Sequence, residues 1–289
     1  MKLDLAQLLA AARLAADRAA AYLREQEGTL PPEAWAEKRP SDFVTAIDRT
    51  AERIIAEILL REAPASRVVG EELTPDDHRD GLTWIVDPLD GTTNYLHRFP
   101  FYAVSIAAVL DGEPLAGVVV HVSPGIRYHA VRGGGAWQDD RRIHVSAVTA
   151  PRLALIGTGF PYSELEHLAL YQRQFAAVVA GSGGVRRPGS AALDLCDVAA
   201  GRFDGFWEYS LHAWDMAGGA LLVEEAGGRV TKIDGSPFET EVGSICAANP
   251  ALHGPLVQAL ASSRAHPANS RDGLAELLPP EVASKIRGG

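Results

Sequence analysis

Cysteine is scarce in this chain of 289 residues: Cys196 and Cys246 stand alone, far apart, each in an apolar stretch. Two such residues exclude a zinc site built on cysteine and read as reduced core thiols of a cytoplasmic protein. Long apolar runs are missing too. No segment approaches the ~20 residues of a membrane-spanning helix. The N-terminal "MKLDLAQLLAAARLAADRAAAYLRE" spreads Asp4, Arg13, Asp17, Arg18 and Arg24 where a signal peptide keeps its centre uncharged. Nor does any Lys/Arg block exceed a pair. With 27 basic and 37 acidic residues the formal charge is −10, which argues against nucleic acid or a membrane surface as the main partner. Internal repeats are absent. What is present is ordinary for a globular chain, 47% hydrophobic and 22% charged, and long enough for one bilobed unit or two domains.

Hydrophobic periodicity predicts an amphipathic helix over 3–26, stopped at Gly28 and Pro31-Pro32, and a second over about 48–62. "RVVGEE" and "LTWIVD" read as short strands that end on acids. "FYAVSIAAVL", "LAGVVVHV" and "IRYHAV", separated by the turns "DGEP" and "SPG", read as an antiparallel meander that "RGGGAW" ends. Beyond about residue 150 the pattern alternates: strand "LALIGTGF", helix "HLALYQRQFAAVVAG", helix "SAALDLCDVAA" with Ser190 as N-cap, strand "RFDGFWEY", helix "AWDMAGGALLVEEAGG", strand "SICAAN". This divides the chain into an α+β lobe at 1–148, an α/β lobe at 149–262 and a polar, proline-containing tail at 263–289.

Acidic residues recur at strand ends and helix starts, each beside glycine or threonine: Asp48 in "SDFVTAID", Glu71 in "VVGEE", Asp87 and Asp90 in "WIVDPLDGTTNY", Asp215 in "AWDMAGG". Clustered carboxylates repel, and burying one without compensation costs several kcal/mol. With no histidine or cysteine at matching spacing, the compensating group would be a hard cation that prefers oxygen, Mg²⁺ above all. The strand would deliver Asp87; Pro88 would turn the chain so that Asp90 returns to the same point, with the Leu89 carbonyl as a third oxygen. Gly91 permits close approach of a ligand, and Thr92, Thr93 and Asn94 open a helical turn whose free N–H groups suit an anion. Taken singly, each motif has a plainer reading. "DPLDG" also fits a calcium-stabilised or solvated turn, "GEE" a solvated loop, and Asp215 a helix-start acid favoured by the dipole.

With these residues in view the chain resembles the inositol monophosphatase family, within the lithium-sensitive sugar-phosphatase superfamily. "WIVDPLDGTTNY" is similar to the family's first signature, with Tyr95 where Phe is commoner, and "WDMAGGALLVEEAGG" to its second; the likeness covers roughly 3–262. It implies a layered αβαβα fold, a homodimer, and magnesium-dependent hydrolysis of a phosphate monoester, inositol 1-phosphate first. Position by position, Glu71, Asp87 and the Leu89 carbonyl would hold one Mg²⁺, Asp87, Asp90 and Asp215 a second, and Glu71 would share a weaker third. Two such ions about 3.5–4 Å apart acidify the attacking water and neutralise the leaving alkoxide. The same likeness gives Thr92 and Asp48 the task of orienting and deprotonating that water, with Glu71 also catalytic. It places the N–H groups of Gly91 and Thr92 on the phosphate, and Ser190, Ala191, Glu208 and Asp215 on the alcohol. Lithium would compete at the Asp215 site. Lys38 matches a lysine on a mobile loop of the family, and reads equally as a solvated charge.

Relatives on this scaffold also hydrolyse fructose 1,6-bisphosphate, histidinol phosphate and nucleotides. "DGTTNY" differs from the "DGTKEF" type of the nucleotide phosphatases. Bisphosphate substrates call for added basic residues, and Arg186-Arg187 is the one nearby pair, equally suited to a dimer interface. A protein that had kept the fold as a mere interaction surface would be expected to have lost ligands. His97, His121, His129, His144 and His212 read as structural or surface residues.

Overall fold

The computed structural model describes residues 4–39, 42–74, 81–162, 167–240 and 243–262; the tail anticipated at 263–289 lies outside them. The apolar stripe near the N-terminus forms α1 (Leu5–Gln26), capped by Asp4, whose carboxylate accepts from the Ala6 N–H at 2.9 Å. A hairpin that the sequence pattern does not reveal, β1 (Ala36–Arg39) with β2 (Asp42–Val44), follows. Next comes α2 (Ala46–Glu62), two residues earlier than expected because Thr45 caps it.

A seven-stranded sheet is then laid down in chain order: β3 (Arg67–Gly70), β4 (Leu82–Asp90), β5 (Ala103–Leu110), β6 (Glu113–His121), β7 (Ile126–Val131), β8 (Gly135–Gln138) and β9 (Arg141–Ile143). β3 and β4 are parallel, and the remaining pairs antiparallel. The glycines of "RGGGAW" turn the meander rather than end it. A short helix, α3 (Thr92–Leu96), joins β4 to β5.

A five-stranded sheet follows from β10 (Leu155–Thr158), β11 (Gly184–Arg186), β12 (Gly205–Leu211), β13 (Arg229–Thr231) and β14 (Gly243–Ala248), in the order β11-β10-β12-β14-β13. Its helices are α4 (Leu168–Gly181), α5 (Ala191–Ala199), α6 (Ala213–Glu225) and α7 (Pro250–Ser262), the last not anticipated.

Three buried clusters define the layers. α1 and α2 pack on one face of the large sheet, α5 and α6 fill the space between the sheets, and α4 and α7 cover the outer face of the small one. This is the expected αβαβα arrangement, α+β in its first half and α/β in its second. Among the described residues no helix is long and apolar enough to cross a membrane. Both cysteines are buried and free.

Strand alternation aims the site. On β4, Trp84 and Val86 face α1 and α2, whereas Ile85 packs against Ala213 and Ala217 of α6. Period-two geometry puts Asp87 on the Ile85 face, toward the start of α6. The two glycines inside α6 have a packing reason. A Cβ on Gly219 would lie 2.6 Å from the Leu195 Cβ of α5, and one on Gly218 would lie 3.2 Å from the Ser105 Oγ of β5.

That contrast predicts unequal substitutions. The Leu195 Cβ cannot swing aside, so Gly219→Ala adds an overpacking cost of about 1–3 kcal/mol that exceeds the ~1 kcal/mol gained in helix propensity. The Ser105 hydroxyl can rotate, so Gly218→Ala costs less. Thermal unfolding should place Gly219→Ala several degrees below wild type and below Gly218→Ala. A Gly219→Ala Tm at or above wild type would mean that α5 and α6 are less tightly apposed than this.

Candidate active site

Four helix starts converge where β4 ends. Asp48 is the third residue of α2, and its Oδ2 accepts from the Thr45 backbone N–H at 2.9 Å and the Thr45 hydroxyl at 2.6 Å. Asp215 is the third residue of α6, and its Oδ2 accepts from the His212 N–H at 2.7 Å. The start of α5 reaches Asp90, whose Oδ2 accepts from the Ser190 hydroxyl at 2.6 Å and the Ala192 N–H at 2.7 Å. Gly91 opens α3 with φ +93°, and a side chain there would press on the carbonyls of Gly189 and Phe101, each 3.1 Å away. Only glycine suits that backbone.

β4 runs on through Asp90 instead of ending at Asp87, because a one-residue shift of register against β5 sets Pro88 and Leu89 opposite a single residue. The shift brings Asp87 and Asp90 together with Asp215. One carboxylate oxygen from each of the three lies within 4.8 Å of the others. Asp87 Oδ1 also accepts from the Leu89 N–H at 2.9 Å. Each aspartate thus spends hydrogen-bonding capacity on local structure, and a carboxylate has about four acceptor positions, so each can still ligate. The helix-start reading of Asp215 and its place in the cluster are both true.

Thr92 Oγ1 lies 3.1 Å from Asp48 Oδ1 and 3.1 Å from the Leu89 carbonyl, and its single proton serves one at a time. The Leu89 carbonyl retains a second lone pair. A cleft of about 350 Å³ is lined by Glu71, Asp87, Leu89, Asp90, Gly91, Thr92 and Asp215, together with Thr93, Asn94, Tyr162, Arg187 and Gly189. Asp48, Ser190, Ala191 and Glu208 do not line it. The first three are buried behind it, and Glu208, on β12, packs its carboxylate where a Cβ on Gly159 would sit. β12 is irregular just there: its pairing with β14 shifts between Glu208 and Leu211, and Ser210 has φ +60°. Lys38 lies on β1, its side chain outside the described residues.

The electrostatics follow from burial. It raises the Asp87 carboxyl well above the usual range, and the charges of Glu71, Asp90 and Asp215 raise it further. Asp90 is pushed up to about 7, by burial first and then by Asp215, against the hydrogen bonds from α5. Burial pushes Glu208 up to about 8, with Arg187 opposing. Asp48 is raised by burial, against the hydrogen bonds of Thr45 and Thr92. All the clustered donors are oxygens, and a hard divalent cation is what this set accommodates.

Several roles at the site escape a reading of the sequence. Asn94 donates to the Phe101 carbonyl at 2.7 Å and to the Pro188 carbonyl at 3.0 Å, so it fastens the first signature to the loop before α5. His212, read as structural or surface, stacks on Trp214 at 4.7 Å with Nδ1 3.8 Å from Asp215 Oδ2. Asp194 is buried with Oδ1 lacking a hydrogen-bond partner, and burial together with Glu208 and Asp90 raises it well above the usual range. Arg187 enters the cleft, whereas Arg186 is exposed and bonds to the neighbouring Val185 carbonyl. Nothing in a sequence pair distinguishes those two arginines.

Comparison with known proteins agrees with this geometry. The profile of the Inositol monophosphatase family matches residues 4–265. An inositol-1-monophosphatase of Rhizobium meliloti is 47% identical over 213 residues, 73% of this chain and 80% of its own. The Nus factor SuhB of Pseudomonas aeruginosa is 43% identical over 218 residues, 74% of this chain and 80% of its own. The crystal structure of the extragenic suppressor protein suhB from Bartonella henselae superposes with a TM-score of 0.81 at 40% identity, covering 88% of this chain and 98% of that one. Fold and site together define a phosphatase that acts on phosphate monoesters. The chain belongs to the inositol monophosphatase family.

The raised carboxyls predict a direction for pH. An unfolded aspartate ionises near ~3.9, whereas Asp90 in the fold keeps its proton to about 7. Between those values the folded state binds more protons, so stability is full below the window and falls as pH rises through it. The slope approaches roughly 1.4 kcal/mol per pH unit for one such group. With a chelator present, Tm should therefore fall from about pH 5 to pH 8, and a saturating divalent cation should flatten the fall and release protons on binding. A chelated protein whose Tm climbs across that window would remove the argument from buried repulsion.

Proposed function

We propose that the protein is a magnesium-dependent phosphatase that acts first on inositol 1-phosphate, or a closely similar phosphorylated polyol. The observation that supports this best is the Asp87, Asp90 and Asp215 trio within 4.8 Å, on the wall of a cleft of about 350 Å³. In this reading Glu71, Asp87 and the Leu89 carbonyl hold one Mg²⁺, Asp87, Asp90 and Asp215 hold a second, and Glu71 shares a third. Bound there, the ions supply an acidified nucleophilic water and charge neutralisation for the departing alkoxide.

The chain's own groups do the rest. Thr92 Oγ1 would take a proton from the attacking water as it gives its own to Asp48 Oδ1, a base held in place by its two bonds from Thr45. Glu71 stands on the same wall and is the second group able to accept a proton. The N–H groups of Gly91 and Thr92, at the first turn of α3, have no acceptor within their helix and turn to phosphate oxygens. Glu208, which carries a proton near neutrality, can both donate to and accept from substrate hydroxyls. The backbone at Ser190 and Ala191, with Asp215, completes the alcohol side.

We further propose that residues 1–148 form the lobe holding most of the metal ligands and 149–262 the lobe that reads the alcohol, in a cytoplasmic homodimer without nucleic-acid or membrane partners. The name of the Pseudomonas relative, a Nus factor, favours a second reading in which the same fold acts chiefly by interaction. Histidinol phosphate and fructose 1,6-bisphosphate are the alternative substrates.

Phosphate release with and without Mg²⁺, from inositol 1-phosphate, fructose 1,6-bisphosphate, histidinol phosphate, NADP and 3′-phosphoadenosine 5′-phosphate, tests these readings together. Magnesium-dependent turnover strongest on inositol 1-phosphate is expected, with inhibition by millimolar lithium. Asp90→Asn should reduce turnover by at least about 10²-fold, on the order of 3 kcal/mol of barrier, with an unchanged far-ultraviolet spectrum. Activity retained within a few-fold at saturating Mg²⁺ would sink the two-metal assignment, and folded wild-type protein silent on all five substrates would favour the interaction reading.

A further inference from the structure

Glu71 is the one proposed metal ligand with no regular element to hold it. Asp87, Leu89 and Asp90 stand on β4 and Asp215 in the first turn of α6, whereas Glu71 follows β3, an edge strand of the large sheet. One side of its segment is tied to β4, for the Glu71 N–H donates to the Val86 carbonyl at 3.3 Å. The other side is tied to α2 by a carboxylate that has no part in the mechanism above. Glu52 is 1% exposed and accepts from the Glu72 N–H at 2.7 Å, the Leu73 N–H at 3.0 Å and the Thr74 hydroxyl at 3.4 Å. Gly70 leaves room for it, since a Cβ there would fall on the Glu52 carboxylate.

Stability alone is a poor reason for that arrangement. Glu52 lies one turn beyond Asp48 on the same face of α2, and both are buried. Like charges at that spacing repel, and a buried carboxylate carries a desolvation cost. What it achieves is geometry. Two charge-assisted bonds from successive amides fix the backbone just after Glu71, and Val86 fixes it just before. The Glu71 side chain therefore leaves a backbone held on both sides, lines the cleft, and brings its charge to bear on Asp87. α2 thus serves both halves of the site, Asp48 toward Thr92 and Glu52 toward the Glu71 segment.

We propose that Glu52 is a positioning residue for the metal site, acting through the Glu72 and Leu73 amides to hold the Glu71 carboxylate where a Mg²⁺ ion can use it. This rests on the metal-dependent reading above and adds to it a residue that touches neither metal nor substrate. Partners of this outer kind change metal affinity by about 10–100-fold.

Calorimetric titration of the metal-free full chain with Mg²⁺ tests this independently of turnover. Glu71→Gln identifies the binding step that depends on Glu71. Glu52→Gln keeps the length of the side chain but replaces one accepting oxygen by a donor, and should raise the Kd of that same step about tenfold or more. Added to Glu71→Gln, it should weaken Mg²⁺ no further. A role in stability alone would lower Tm and leave the Kd in place, and a charge acting through space would weaken Mg²⁺ equally in both backgrounds. Either result overturns the proposal. Thr74→Val, at an exposed position, removes the hydroxyl's bond to Glu52 and its acceptance from the Gly70 N–H at 3.1 Å. It should raise the same Kd about two- to fivefold, so it decides the matter if Glu52→Gln does not fold, an unchanged Kd again overturning the proposal. Should Glu71→Gln leave every Mg²⁺ step unchanged, the metal role of Glu71 fails and the proposal falls with it. An effect of Glu71→Gln without one of Glu52→Gln strikes the proposal alone.

Discussion

The mutual repulsion of Asp87, Asp90 and Asp215 is the constraint around which the rest of the molecule is arranged. Charges at their separation of 4.8 Å or less repel by roughly 3 kcal/mol per ionised pair at an effective dielectric of 20. Three such pairs approach the whole stability of an ordinary domain, about 5–15 kcal/mol. The fold tolerates the trio by two means visible in it. Protons stay on the carboxyls to unusually high pH, and helix starts turn their N–H groups and the positive ends of their dipoles on the acids. α5 donates to Asp90, and the cap residues His212 and Thr45, just before α6 and α2, donate to Asp215 and Asp48. Neither means supplies a full positive charge. A cation does, which is why a protein of net charge −10 can belong to a family that handles phosphate.

Position in space follows from that need. Asp87 reaches the cluster because β4 alternates, Asp90 because the register against β5 shifts by one residue, and Asp215 because two glycines let α6 lie close against β5 and α5. Ser105, on β5, donates to the Trp214 carbonyl at 3.3 Å and pins the first turn of α6 to the strand. Packing far from the chemistry thus sets the distances within it.

Much of the cluster was legible in the sequence because its geometry is local. A strand that ends on aspartate, a proline, a second aspartate and a glycine define one another within five residues, and capping at Asp48 and Asp215 is a spacing of three. The parts that were not legible depend on contacts between distant segments. Arg187 differs from Arg186 through Phe160, Tyr162 and Gly189; Asn94 acquires its task from Pro188 and Phe101; Asp194 is unusual because the fold buries it, with Glu208 and Asp90 adding to the effect. α7 was hidden for another reason. Gly254 and Pro255 read as breakers, yet Leu252, Leu256 and Leu260 carry a buried helical stripe through them. The hairpin β1-β2 and the strands β8, β9, β11 and β13 are three or four residues each, too short to display alternation.

The two ends of the cleft carry charge of different kinds. At the acidic end the fold offers no full positive charge, and Asp90 keeps its proton to about pH 7. At the other end the charge is covalent and permanent. Arg187 keeps it whatever the metal supply, and Glu208 beside it carries a proton until about pH 8. Changes at Gly189 or Arg187 therefore alter the permanent charge of the cleft and leave the three clustered aspartates in place. Changes at Asp87, Asp90 or Asp215 relieve the repulsion at the acidic end.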